Sequence, residues 1–155
     1  MKNIQKILAA VDFSPYSSQV FRFAANLAQE LKAELVVLNV LNQRDVHAIE
    51  MVEQAYPELS TTRLIKSTTA ERFGLLEKLL METGAGSMDA KKLIKVGVPF
   101  REILKTVEEE KADLLVMGTK GHGAIADALF GSTAEKVFRR CPVALVSVRP
   151  EGHSG

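Results

Sequence analysis

The 155-residue chain is 46% hydrophobic, enough to fill the core of one ordinary domain of about 100–200 residues but too short for two. Lys and Arg number 20 against 19 Asp and Glu, so the formal charge of +1 supplies no broad field for a polyanion, and nucleic acid is not an expected partner. No apolar stretch reaches the ~20 residues that span a bilayer, and the opening MKNIQKILAAVDFS has too short an apolar run and no small-residue cleavage site, so a cytoplasmic protein without membrane attachment is expected.

Four apolar runs, residues 6–11, 34–40, 112–117 and 142–148, are rich in Val, Ile and Leu and suit strands buried on both faces. Behind the first, Val20, Ala24, Leu27, Ala28 and Leu31 recur with helical spacing, with Ser14 as the expected cap and Pro15 in the first turn. Residues 41–69 form the least readable stretch, polar, with a short helix over 46–55, and either mobile or a cover over a ligand. A clearer helix lies near 72–81. A fifth strand over 91–96 carries Lys91, Lys92 and Lys95, which places it at a sheet edge. Pro99 then opens a helix with Ile103, Leu104 and Val107 inward, and the acidic residues 108–110 mark its solvated end.

Strands alternating with helices in this order predict a doubly wound α/β fold, in a single domain over residues 1–150 with a polar tail at 151–155. The only cysteine, Cys141, precludes an internal disulfide. It reads as a buried small hydrophobe, because a helix C-terminus disfavours a thiolate. The last strand, PVALVSV, is followed by nothing that could pair with it. At a sheet edge it invites another chain, and a homodimer formed through or beside it is expected.

The most informative segment is MGTKGHGAIADALFGSTAEKV, residues 117–137, directly after a buried strand. Its Gly118, Gly121, Gly123 and Gly131 are more than a plain strand-to-helix turn requires. Glycines let backbone amides close around an anion, and Gly131, Ser132 and Thr133 open a helix whose first amides and dipole favour phosphate. The bland alternative is a capping box between Ser132 and Glu135, which is compatible with the phosphate reading. Asp12 ends the first strand as Gly118 ends the fourth. In a parallel sheet both lie on the carboxyl edge, where ligands bind, and a carboxylate there can accept from ribose hydroxyls or an adenine amine, or reach a phosphate-bound metal. Asp12 could equally just begin the loop into the first helix. Gly121, Gly123 and Ala126 match GxGxxA only by accident, lacking an acidic strand end ~20 residues on, and GxxxxGK[ST] is absent.

Gly118-x2-Gly121, nine residues, then Gly131-Ser132 matches the pattern G-x2-G-x9-G-[ST] of ATP-binding universal stress proteins, and VDFS at 11–14 is similar to their opening. The chain thus resembles that family from the first strand to CPVALVSV. The resemblance implies a five-stranded parallel sheet in order 3-2-1-4-5 with helices on both faces, and ATP or another adenine nucleotide as ligand, with Mg²⁺. It also implies that Asp12 contacts adenosine, that Val40 meets adenine through its backbone, that Gly97 lies near the ribose, and that Gly118, Gly121, Gly131, Ser132 and Thr133 cradle ribose and phosphates. Dimers paired through the last strand and a stress-response role follow from the same resemblance; no residue names the stress or the protein client.

Many relatives carry basic residues within the nine-residue spacer, whereas this chain has Ala126 and Asp127. Lys120 and His122 remain to offset phosphate charge, and a divalent cation held through the phosphates, with no protein ligand, would relieve Asp127. His47 and His153 lack metal-ligand spacing and read as surface residues. With no catalytic base recognisable, a nucleotide-binding regulator is favoured over an efficient enzyme. Slow ATP hydrolysis and a relative that binds no nucleotide and acts by protein–protein contact are the alternatives. A receiver-like or flavin-binding protein fits less well, since only Asp12 stands where a receiver needs clustered acids.

Overall fold

A computed structural model describes residues 3–58, 60–86, 88–119 and 130–150. In chain order the elements are β1 (Lys6–Ala10), α1 (Ser17–Leu31), β2 (Glu34–Asn42), α2 (Gln43–Ala55), α3 (Thr61–Glu82), β3 (Lys91–Gly97), α4 (Pro99–Glu109), β4 (Leu114–Gly118), α5 (Ser132–Arg140) and β5 (Ala144–Val148). The strands form one parallel sheet in the order β3-β2-β1-β4-β5, as the family resemblance implies.

Strand alternation splits the core into two layers. Ile7 and Ala9 of β1, with Leu35 and Val37 of β2, face Val20, Phe21 and Ala24 of α1 and Leu76 and Leu80 of α3. Leu8, Val36 and Leu38 face the other way, onto Ile103 and Val107 of α4 and Val137 of α5. Apolar residues on both faces make β1, β2 and β4 unbroken apolar runs, because helices cover the sheet on both sides. Cys141 is half-buried against the second layer.

Two local expectations change. Helix α1 begins at Ser17 with Tyr16 as its N-cap residue, two residues later than a Ser14 cap would place it. Ser14 instead turns the chain ahead of the helix, its Oγ accepting from Tyr16 N at 3.3 Å and its carbonyl from Ser17 N at 3.1 Å. Residues 41–69, hard to read in sequence, are mostly helical: β2 runs straight into α2, whose first turn Asn42 caps by accepting from Arg44 N, and Ser60 caps α3 through Arg63 N. Helix α2 has no buried residue, so its polar, aperiodic sequence reflects a helix lying outside the core.

The two edges are built differently. On β3, Lys92 pairs with Glu77 of α3, Lys95 with Glu109 of α4, and Lys91 with Glu110 just beyond α4, which ties the edge to the helices on both faces. The Lys95 hydrogen bond holds the Glu109 carboxyl below its ordinary range. On β5, Leu145, Val146 and Val148 are half-exposed.

The amino edge of the sheet is closed by Asp113, whose Oδ2 accepts from Gln5 N at 2.9 Å and Lys6 N at 3.1 Å while its own N–H donates to the Lys6 carbonyl at 2.8 Å. This clamp locks β1 to β4 at the end remote from the carboxyl edge. Asp113→Ala is expected to lower unfolding free energy by about 1–3 kcal/mol, since two amides lose a charged acceptor. Asp113→Asn, which keeps an acceptor oxygen, should recover part of the loss in urea denaturation.

Candidate functional site

The order β2-β1-β4 means that the chain leaves β1 toward one face of the sheet and β4 toward the other. Between these departures the carboxyl edge opens into a cleft of about 290 Å³. Its floor is apolar, formed by Ala10, Leu38, Val40 and Met117 at the strand ends. Ser17 and Val20 of α1 line one flank, and Pro99 and Ile103 of α4 the other.

Asp12 sits at the mouth of this cleft, exposed and held in place. Its Oδ1 accepts from Ser14 N at 2.9 Å and from Ser17 Oγ at 3.1 Å. The intervening Phe13 takes a left-handed backbone with φ of 59°, a conformation that costs free energy in a residue with a side chain, and the two bonds across the turn offset it. Asp12 thus does begin the loop into α1, and the same loop orients its carboxylate.

At the β4 end the backbone closes first on itself. Thr119 N donates to the Val148 carbonyl at 3.1 Å and Gly131 N to the Thr119 carbonyl at 2.7 Å, so those two amides are spent internally. Gly131 is the N-cap residue of α5, and the first bond of the helix runs from Glu135 N to the Gly131 carbonyl at 3.0 Å. Helix geometry therefore leaves the amides of Ser132, Thr133 and Ala134 without a partner inside α5, with the positive end of the helix dipole behind them. All three residues line the cleft. The capping box, the alternative reading of Ser132, is not formed. Ser132 is the first helical residue, one position past the cap, no side-chain cap bond is made, and the Glu135 carboxylate pairs with Arg139 at 3.0 Å.

The cleft thus brings together Asp12, Val40, Gly118, Gly131, Ser132 and Thr133. Gly97 does not line it. A Cβ there would lie 2.7 Å from Cγ of Glu102, so the residue makes room for the first turn of α4. Lys120, Gly121, His122, Gly123, Ala126 and Asp127, and likewise His153, lie outside the described residues. His47 is exposed on α2, 3.5 Å from Glu50. Among the described residues no cluster of His, Cys, Asp or Glu could hold a metal ion, and no helix is long and apolar enough to cross a membrane.

Sequence reasoning missed the far end of the cleft, where Arg44 and Asp45 of α2 and Arg72 of α3 line the wall. One signal could have found it. Asn39 is the one polar residue inside the run LVVLNVL, and it is buried to 1% exposure, so it must have hydrogen-bond partners.

The model of the universal stress protein family matches residues 3–149. The chain belongs to the universal stress protein family. Universal stress protein YxiE of Bacillus subtilis is 28% identical over 144 residues, covering 91% of this chain and 97% of that protein. Universal stress protein MJ0531 of Methanocaldococcus jannaschii is 32% identical, covering 92% and 81%. Among solved structures, universal stress protein UspA from Lactobacillus plantarum superposes with a TM-score of 0.79 at 23% identity, covering 96% of this chain and all of that one. A universal stress protein in complex with cAMP does so at 0.69 and 23%, covering 96% and 98%. These superpositions establish the shared universal stress protein fold.

Because the atoms that crowd Gly97 belong to the flexible Glu102 side chain, Gly97→Ala is expected to keep unfolding free energy within about 1 kcal/mol in thermal denaturation. The cleft should be unaltered by it.

Proposed function

We propose that this universal stress protein binds an adenine nucleotide, ATP or a close relative, and acts as a dimeric cytoplasmic regulator in a stress response. The observation that carries the reading is the start of α5, where three consecutive amides at a helix N-terminus meet a cleft with an apolar floor and the fixed Asp12 carboxylate. The phosphates sit against Ser132, Thr133 and Ala134 beside Gly118. The nucleoside lies over Ala10, Val40 and Met117, with Asp12 accepting from its hydroxyls. A Mg²⁺ ion would enter as a companion of the phosphates. One family fold at 23% identity is recorded with cAMP, an adenine nucleotide, which supports the choice of base.

Isothermal titration calorimetry with Mg-ATP tests the reading. The intact protein is expected to bind. Ser132→Tyr, which places a ring at the first exposed position of α5, and Gly118→Val should each weaken binding at least about tenfold. Absence of binding to the unaltered protein, or affinity untouched by both substitutions, overturns the reading.

The dimer is proposed to form through β5. Val148 directs its carbonyl to Thr119, the residue just past β4, so by strand alternation Ser147 directs its own N–H away from the sheet. Ser147→Pro removes only that outward donor. It is expected to shift the protein from dimer to monomer in analytical ultracentrifugation while leaving its circular dichroism unchanged; a persistent dimer would place the contact elsewhere.

A further inference from the structure

The two ends of the cleft differ in chemistry. At the α5 end the donors are uncharged amides and small side chains. At the opposite end, where β2 enters α2, the wall is lined by Asp45 of α2 and Arg72 of α3.

Arg72 is held there. Its Nη1 donates to Oδ1 of Asn39, and Nδ2 of Asn39 donates to the Val11 carbonyl at 2.8 Å. Burying an asparagine to 1% exposure in an apolar strand costs free energy that only full hydrogen bonding offsets. Satisfying the Val11 carbonyl accounts for Nδ2 alone; the other half of the amide is committed to orienting a guanidinium. None of the ion pairs among the described residues involves Arg72. A half-buried cation with its planar fork fixed and most of its five donors uncommitted is built to meet acceptors.

We propose that Arg72, oriented by Asn39, reads the base of the bound nucleotide, and that the cleft accepts 6-oxopurine nucleotides, those of guanine or hypoxanthine, as well as adenine ones. This rests on the phosphate seat at α5 proposed above, which leaves the base for the opposite end. A guanidinium has donors and no acceptor. The 6-oxopurine edge presents O6 and N7 as adjacent acceptors that it can take together, whereas adenine sets an amino donor beside N7. Asp45, in the first turn of α2 at the same end of the cleft, supplies an acceptor for the N1–H that a 6-oxopurine carries and adenine lacks. Asn39 is a positioning residue acting through Arg72.

Calorimetry on the full chain with Mg²⁺ and ATP or ITP, which differ in the base at C6 and N1, tests the assignment. The unaltered protein is expected to bind ITP within about threefold of ATP. Arg72→Met should weaken ITP binding about tenfold or more and ATP binding less than about threefold, the size of one bidentate contact to a base. Arg72→Lys, a charge without the fork, should recover less than half of that loss on a logarithmic scale. Asn39→Leu should shift the ITP-to-ATP ratio in the same direction and add nothing in the Arg72→Met background, a coupling that a merely destabilising change would not show. Arg72→Met carries the test if Asn39→Leu does not fold. Unchanged binding of both nucleotides in Arg72→Met, or an equal fall in both, overturns the role of Arg72 while leaving the phosphate seat standing. Discrimination against ITP beyond about tenfold by the unaltered protein overturns the predicted ligand class. If the unaltered protein binds neither nucleotide, the phosphate seat fails and this inference with it.

Discussion

The position of β1 between β2 and β4 is the constraint on which the site depends. A parallel sheet must return each strand by a crossover, and right-handed crossovers put α1 and α3 on one face and α4 and α5 on the other. Where the order turns back on itself, at the carboxyl ends of β1 and β4, the departing segments diverge and no side chain needs to fill the gap between them. The amino edge shows the opposite: there Asp113 binds the starts of β1 and β4 together through main-chain amides. One end of the strand pair is locked, and the other is left open to a ligand.

The cleft that results is polar in a graded way. At one side stand the first amides of α5, donors of partial charge that cost no side-chain entropy to aim. In the middle, the Asp12 carboxylate is set by Ser14 and Ser17 across the left-handed Phe13. At the other side Arg72 is set by Asn39, itself anchored on the Val11 carbonyl one residue before Asp12. The acid and the guanidinium are thus positioned from neighbouring points of one strand end, so a displacement of that end would move both. The glycine of the cap spends its amide on Thr119, so the amides left without a partner inside α5 are those that follow Gly131.

The two edges of the sheet carry different obligations. Strand β3 carries lysines that pair with acids on the helices to either side, so its edge is charged and tied down. Strand β5 is mostly apolar and in large part half-exposed, and in the proposed dimer its outward-directed backbone groups would pair with a second copy. Because β5 joins the sheet through β4, whose end bounds the cleft, the proposed pairing there would bring two clefts into one assembly.

Unbroken Val, Ile and Leu runs were enough to read β1, β2, β4 and β5, apolar spacing to read α1 and α4, the Gly-Ser-Thr start to read α5, and the lysines of β3 to place it at an edge. The glycines after β4 and the acid after β1 were legible because such residues act through the backbone or at a strand end, both visible in local order. Helix α2 was blurred because it buries nothing and so carries no apolar stripe. The start of α5 at Gly131 to Thr133 was read correctly, and only the alternative of a Ser132 cap failed, because sequence shows which residues can cap and not which one adopts the extended backbone of a cap. Arg72 was invisible. It lies 33 residues from Asn39 in the chain, and only the packing of α3 over the end of β2 brings guanidinium and amide together. Local order by itself determined the fold class and one end of the site; tertiary packing decided the other, because a hydrogen bond between distant segments leaves no periodic trace in either.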